Sequence, residues 1–582
     1  MRVKLGIVFI LIGCGLISGC VLPARLTPPP PSISTLQGQF SQTLTPDLPI
    51  LSPTVSSEPD PIRPILTDIS PTSTVKNLPS LNLPPGLPHH FIEQLDLADF
   101  TPSVDPARAD AQLQINLKSD PVTGSAARLW VYGLTAPFYT LTDAISMQDL
   151  TELWQGRKDP AFAFEKILVS PETYAAMQVI LGQPGTTTVE PLPLEEINHL
   201  SLGNDPFLYV LPYEDLEPTW KVLSVDGQSP IDDNFDPQTY PLSVQFSFDS
   251  QDPDLNLNLP PENYDPSLRT TLIMTGVSAL TRATAYQMQI RGNHFPGEDL
   301  HAWFTAANLL HISHEAPFAS NCPPPDPNQE DLIFCSDPAR IELLEFIEAD
   351  IIELSGNHLL DYGVPAMKLT LEMYEGRGWS TYAGGWDLND SREPARITHN
   401  GNQLAFLGCN SAGPYGAWAS DSQPGSAPCG DYDWLVKKIQ QLKSEGYLPI
   451  VTLQYLEDYT AYPSAQMELD FQRLAEAGAV VVNGSQAHTP KLMTFHQGSF
   501  LHYGLGNLFF DQMEVYYNGV YLPGTRDEFL DRLIFDKGRL ISVELLTAKL
   551  EDYAKPRPMT DTERATLLSR IFDLARQTNE ER

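Results

Sequence analysis

At 582 residues the chain is too long for a single hydrophobic core, and two or three folded units with tails are expected. Its 73 acidic side chains outnumber 36 basic ones, giving a net charge of -37 at pH 7. A surface of that sign repels nucleic acid and anionic lipid at long range, which excludes both as directly bound partners.

The chain opens MRVKLGIVFILIGCGLISGC: two early cations, Arg2 and Lys4, an apolar stretch from Leu5 to Ile17, then Ser18-Gly19-Cys20. That order is a signal peptide, too short for a comfortable membrane span. Its end, residues 1–20, resembles a bacterial lipoprotein lipobox. The resemblance implies cleavage before Cys20, acylation of that thiol, and a protein lipid-anchored on the outer face of the bacterial cytoplasmic membrane or cell envelope. Plain secretion with Cys20 as a bystander is the alternative. Setting aside Cys14 and Cys20 leaves Cys322, Cys335, Cys409 and Cys429, an even number that in an exported chain suggests disulfides. Of three connectivities, Cys322 with Cys335 and Cys409 with Cys429 closes the shorter loops and is preferred. None of the four has CxxC spacing, so a thiolate metal site is not expected.

Residues 21–90 carry 16 of the 53 prolines, a density that prevents helices and sheet ladders, so this stretch reads as an extended, disordered tether. Order is expected from Phe91. Leu129 to Tyr132 is a β-rich entry. In SMQDLTELWQG, Ser146 is a good N-cap and Leu150, Leu153 and Trp154 share one helical face. SPETYAAMQVILGQ repeats the arrangement, with Ser170 capping, Pro171 in the first turn and Gly182 stopping the helix. Together with PFLYVLPYEDLEPTWKVLSVDG these make a small α/β domain over 91–255. It resembles half of a periplasmic solute-binding module of the phosphate-binder type, identifies no ligand residue, and reads as a structural spacer. DLNLNLPPENYDPSL is a second, shorter linker.

From RTTLIMTGVSAL to about residue 550 apolar strands alternate with amphipathic helices, and in open α/β sheets the strand C-terminal ends face the site crevice. The side chains just past those ends are Val277 and Ser278; Asn308, His311, His314 and Glu315; Asn357, His358 and Asp361; Asn410; Gln454 and Glu457; Ser485, Gln486 and His488; His502 and Asn507. Oxygen donors and imidazoles on one rim suit a divalent transition metal better than a nucleophilic triad.

The segments TLIMTGVSALTR, ANLLHISHEAPF, GNHLLDYGVPAMKLTLEMYEGRGW, LAFLGCN and VTLQYLEDYTAYPSAQMELDFQRLAEAGAVVVNGSQAHTPKLMTFHQGSFLHYGLGNLFF, in this order, resemble the CapA capsule-synthesis family, named for poly-γ-glutamate capsule. The resemblance is assigned to residues 268–575, where LEDYAKPRPMTDTER looks like the C-terminal extension of a lipoprotein-like branch. It implies a four-layer α/β sandwich similar to calcineurin-like metallophosphoesterases, with a two-metal site. Carried over residue by residue, it makes Glu315, Asn357, His358 and His488 the metal candidates, and His358, Asp361 and His488 the catalytic ones. Gln454, Glu457, Gln486 and His502 are the ligand-binding candidates.

The chain also departs from that family. Val277 stands where the first strand should end in Gly-Asp, Gln454-Tyr455-Leu456 where the family has His-Trp-Gly, and Ser485 and Gln486 where it has histidines. Two cations about 3.5 to 4 Å apart need a bridging carboxylate, which valine and glutamine cannot supply. Two arrangements stay open: one divalent ion (zinc, manganese or iron) completed by Glu457 or His314, or a metal-free polar cleft in which Gln454, Gln486 and His488 hydrogen-bond a ligand. The expected function is that of a cell-surface protein for synthesis, attachment or binding of capsule or another anionic extracellular polymer of the poly-γ-glutamate type. A metal-dependent hydrolase or phosphoesterase acting on an envelope polymer is the alternative. In either case the partner is an extracellular polymer or a cell-envelope component.

Overall fold

The computed structural model describes residues 78–580 apart from 122–125, 158, 204, 514 and 518–519, so the leader, Cys20 and most of the tether lie outside the described residues. Residues 80–250 build a ten-stranded mixed sheet. At its centre Ser243–Ser250 pairs antiparallel with Ala111–Leu117 on one side and Ala126–Pro137 on the other. Alternate residues Val244, Phe246 and Phe248 turn into the core, as the two-residue period of a strand requires. Both helices read from sequence are present. Ser146 Oγ accepts the Asp149 N–H (3.0 Å) at the start of Met147–Trp154, and Pro171–Leu181 ends at Gly182 with φ +80°. The Trp154 indole N–H donates to Gly182 O (2.9 Å), which locks the two helices together.

Folded structure starts earlier than Phe91. The strand Ser80–Asn82 and the helix His89–Glu93 begin within the segment read as tether, with Leu81, Leu87 and Phe91 buried. Pro84, Pro85 and Pro88 fall between these two elements, where they remove no ladder hydrogen bond. The linker after residue 254 is also packed. Leu257, Leu259 and Tyr264 are buried, and the Asn263 amide exchanges two hydrogen bonds with the Val131 backbone (2.9 and 2.8 Å) as a neighbouring strand would.

Beyond it two sheets face one another. The first runs Ser380–Tyr382, Ile351–Glu353, Leu309–His314, Arg269–Met274, Asp527–Asp536, Arg539–Glu551, Lys555–Pro558, with Val277–Ser278 beside Leu309–His314. The second runs Ala395–His399, Asn402–Asn410, Leu448–Gln454, Val481–Ser485, Ser499–His502, Met493–His496. Four consecutive strands are parallel in each. Such strands are covered on both faces, which is why they read as near-continuous apolar runs.

Side-chain alternation sorts the layers. Ile273, Leu310, Ile312 and Ile352 pack with Met288, Phe304, Leu344 and Met367 of the outer helices, whereas Tyr382 turns inward to meet Phe406 of the facing sheet (5.9 Å between ring centres). Helices Asp433–Ser444 and Ala465–Ala477 bury Leu435, Ile439, Phe471 and Leu474 against the second sheet. The order is helix, sheet, sheet, helix, the four-layer α/β sandwich expected for this part of the chain.

Gly276 sits where two backbones touch. A Cβ there would lie 2.2 Å from Gly506 O and 3.1 Å from Asn507 O, because the Val277 N–H donates to Gly506 O (3.0 Å). Main chain cannot yield as a side chain does, so Gly276→Ala is expected to cost about 1–3 kcal/mol. Urea denaturation monitored by circular dichroism measures this, and an unchanged midpoint would contradict the close approach.

Candidate functional site

The parallel strands of both sheets end at one rim, and polar side chains join the sheets there. Ser355, just past Ile351–Glu353, places its Oγ 3.2 Å from that of Ser485 at the end of Val481–Ser485. Gln454, the last residue of Leu448–Gln454, donates its amide N–H groups to Asn357 Oδ1 (2.9 Å) and to Gln486 Oε1. Asn410, ending Asn402–Asn410, donates from Nδ2 to Ser355 O (2.8 Å). Gln486 holds φ +73°, a left-handed conformation costly for a side chain other than glycine, and its neighbours are all buried.

The imidazoles are oriented from behind. His358 Nδ1–H donates to Asp361 Oδ2 (2.7 Å), the pair being three residues apart in the turn GNHLLDYG, and the same carboxylate accepts the Phe334 N–H (2.8 Å). The Phe334 ring lies against the His358 ring with centres 4.2 Å apart. His488 Nδ1–H donates to Asn507 Oδ1 (2.7 Å), while Asn507 Nδ2 donates to Thr525 O (3.0 Å), which fixes the way the amide faces. Fixing Nδ1 leaves Nε2 as the working nitrogen of each ring.

Glu315 is buried beside Gly356, where a Cβ would come within 2.6 Å of the Glu315 Cα. Burial raises its pKa above the usual carboxylate range, His358 and His488 pull it down, and Glu457 pushes it up again. Its Oε1 has no hydrogen-bond partner among the described residues. The charges of His358, His488 and Glu457 are thus all felt at Glu315.

For His358, burial works to lower the pKa, but the Asp361 hydrogen bond and the charges of Glu315 and Asp361 outweigh it, and the net shift is upward. A histidine raised above its unfolded value of about 6.5 contributes stability that is complete below that pH and is lost as pH climbs through the folded value. Asp361→Asn is therefore expected to lower the His358 midpoint in a proton NMR titration, and to lower the melting temperature more at pH about 5.5 than at pH about 9. Equal destabilisation at both would show that the pair does not carry the shift.

Other candidates lie elsewhere. His502 does not reach the rim: it is fully buried between the sheets, its Nδ1–H on Asp531 Oδ2 (2.7 Å). Strand alternation puts it there, since it faces the opposite sheet rather than the strand end. His311 also turns between the sheets, 2.8 Å from the Tyr382 hydroxyl, and burial lowers its pKa to about 3. His314 turns into the helix layer, with Nδ1 2.9 Å from the Tyr374 hydroxyl, and burial lowers its pKa to about 4. Glu457 is exposed and accepts from the Tyr459 hydroxyl.

Sequence reasoning missed Glu353. It is buried at the strand end, accepts from Ser313 Oγ and the Ser355 N–H (both 2.6 Å), and has its pKa raised by burial despite those bonds, with Glu315 adding to the rise. It lies within the otherwise apolar run IIEL, where a carboxylate was the available signal. Arg282 was missed too. It pairs with Asp511, stacks over Phe334 and Phe510 (4.6 and 5.3 Å), and holds φ +47° at the start of its helix.

The two-metal arrangement of the resembled family lacks donors at Val277 and Gln454. Val277 is buried and hydrogen-bonded through its backbone to Gly506 and Leu508, and the Gln454 amide is spent on Asn357 and Gln486. Among the described residues, three His, Cys, Asp or Glu ligand atoms come within 4.8 Å of one another only at exposed His89, His90 and Glu93, outside this rim. What the rim offers instead is a row of amides and hydroxyls with two oriented imidazoles and a buried carboxyl.

The two disulfides, Cys322–Cys335 and Cys409–Cys429, are formed as preferred from the sequence. Both border the rim, through Phe334 and through Asn410.

Residues 271–512 match the family described as bacterial capsule synthesis protein PGA_cap. The PGA biosynthesis protein CapA of Bacillus subtilis is 25% identical over 173 residues, covering 30% of this chain and 45% of that protein. The capsule biosynthesis protein CapA of Bacillus anthracis is 28% identical over 166 residues, covering 28% of this chain and 40% of that protein. The chain thus spans less than half the length of either relative. Among solved structures, the calcineurin-like phosphoesterase YfkN from Bacillus subtilis covers 53% of this chain and 99% of its own at 13% identity, with a TM-score of 0.29, too low to carry an argument. Residues 271–512 of this chain are a domain of the bacterial capsule synthesis protein PGA_cap family.

Proposed function

We propose that this chain is an accessory of capsule or poly-γ-glutamate-type polymer synthesis, held at the cell surface through Cys20, and that it binds the polymer along the rim. Support comes from the family of residues 271–512 and from the names of the two relatives. One observation carries the choice of binding over bond breaking: Gln454 links Asn357 to Gln486 across the ends of two sheets, in the place where a metal would need free donors. A protonated His358 offers a counter-charge to the carboxylates of a γ-glutamyl chain. The net charge of -37 opposes a polyanion, so a bridging cation or the local imidazole charge must offset it.

Calorimetric titration of the full chain with poly-γ-glutamate oligomers tests this. Binding is expected to weaken about tenfold in His358→Ala, the loss of one charge-assisted contact. It should also weaken as pH rises through the raised His358 pKa. The oriented His358–Asp361 pair favours a second reading, a hydrolase in which that imidazole moves a proton. Chromogenic phosphodiester turnover that needs added metal and vanishes in His358→Ala would put the hydrolase first; no affinity for the polymer would remove the binding reading.

A further inference from the structure

Away from the rim, the short helix His89–Glu93 carries His89, His90 and Glu93 on its exposed side, and one ligand atom of each lies within 4.8 Å of the others. We propose that these three side chains, with Asp215 behind His90, form a binding site for a divalent transition ion of the zinc class, close to where the folded body begins.

Spacing is the first argument. His89 Nδ1 and His90 Nδ1 lie 3.3 and 3.8 Å from the same oxygen, Glu93 Oε2. A charge-assisted hydrogen bond would draw them to about 2.7–2.9 Å. Ligands held at about 2.0–2.1 Å in a tetrahedron around one ion stand about 3.3–3.4 Å apart, so the trio is already near its bound spacing. All three side chains are more than half exposed, which leaves the fourth position to solvent.

The second argument comes from a distant segment. His90 Nε2 lies 3.4 Å from Oδ1 of Asp215, in the turn Tyr213–Asp215 that follows the strand Phe207–Pro212. An imidazole that ligates through one nitrogen characteristically offers its other N–H to a carboxylate, which fixes the ring and makes it a better ligand. Helical spacing alone puts His89, His90 and Glu93 on one side. Asp215 is brought to the back of the His90 ring by the fold.

Rigidity and charge agree with this. Phe91, between the two histidines and Glu93 in sequence, is fully buried and packs on Trp130 (5.1 Å) and Phe246 (4.6 Å), so the helix is held in place before any ion arrives. Glu93 and Asp215 match the two charges of the ion, and the net charge of -37 draws cations toward the surface. Imidazole donors select zinc, copper(II) or nickel(II) over calcium and magnesium, which take oxygen ligands. The bound ion would tie the first helix after the tether to the turn Tyr213–Asp215.

The test is calorimetric titration of the untagged full chain with zinc chloride in a buffer that does not chelate it. One equivalent is expected to bind saturably and to resist displacement by excess calcium. His90→Ala should remove that equivalent, and Asp215→Asn, which keeps the shape but not the charge, should weaken it about tenfold or more. His90 is exposed, so His90→Ala in chelator is expected to melt as the parent does. The proposal is overturned if zinc binds only in weak, unsaturable amounts, as an adventitious ion only, or if either His90→Ala or Asp215→Asn leaves the affinity unchanged. An equivalent lost in His358→Ala but kept in His90→Ala would belong to the rim and overturn it as well.

Discussion

Asp531→Ala is expected to cost about 3–5 kcal/mol of stability, the range for removing one member of a buried pair. The reason lies in where the partner is. His502 is enclosed between the two sheets, packed by Phe500 and Phe529, and its Nε2 already has no partner among the described residues. Deleting the carboxylate strands Nδ1 as well, and water cannot reach it. Asp531→Asn keeps an acceptor of the same shape and should cost only about 1–2 kcal/mol. Urea denaturation of the three proteins decides: equal losses in both variants would mean that shape, not the hydrogen bond, holds the layer together.

Removing the disulfide between Cys409 and Cys429 should have an effect of similar size and a functional consequence besides. The bond closes a loop of 20 residues, which restricts the unfolded chain by about 3 kcal/mol. It also anchors Asn410, whose N–H donates to Ala427 O (2.7 Å) and whose amide reaches across to Ser355 O (2.8 Å). Cys409→Ser with Cys429→Ser is therefore expected to lower the melting temperature and to weaken polymer binding together. A variant that lost stability but bound as before would separate Asn410 from the site.

How far the sequence reveals all this depends on range. Caps and stops are local, and Ser146, Ser170, Pro171 and Gly182 do in the structure what their chemistry says. The His358–Asp361 pair is three residues apart and equally legible. Glu315, Asn357, Gln454, Gln486 and His488 could be named as strand-end residues, because parallel α/β topology sends those ends to one edge. Their mutual bonds could not, since Gln454 meets Asn357 across 97 positions and Ser355 meets Ser485 across 130. His502 shows the limit most clearly: a strand-end position says nothing of which face the side chain takes, and its partner lies 29 residues on, in another sheet.

Ile534 and Ile541 belong to strands of the second half yet sit in the hydrophobic layer of the ten-stranded sheet, and Phe138 of the first half packs against Phe495, Phe500 and Phe572. Severing the chain near residue 260 would strip oil from both faces of the cut. Limited proteolysis should accordingly yield no long-lived 268–575 product, and an excised capsule-family segment assayed alone would report on a damaged molecule rather than on the working one.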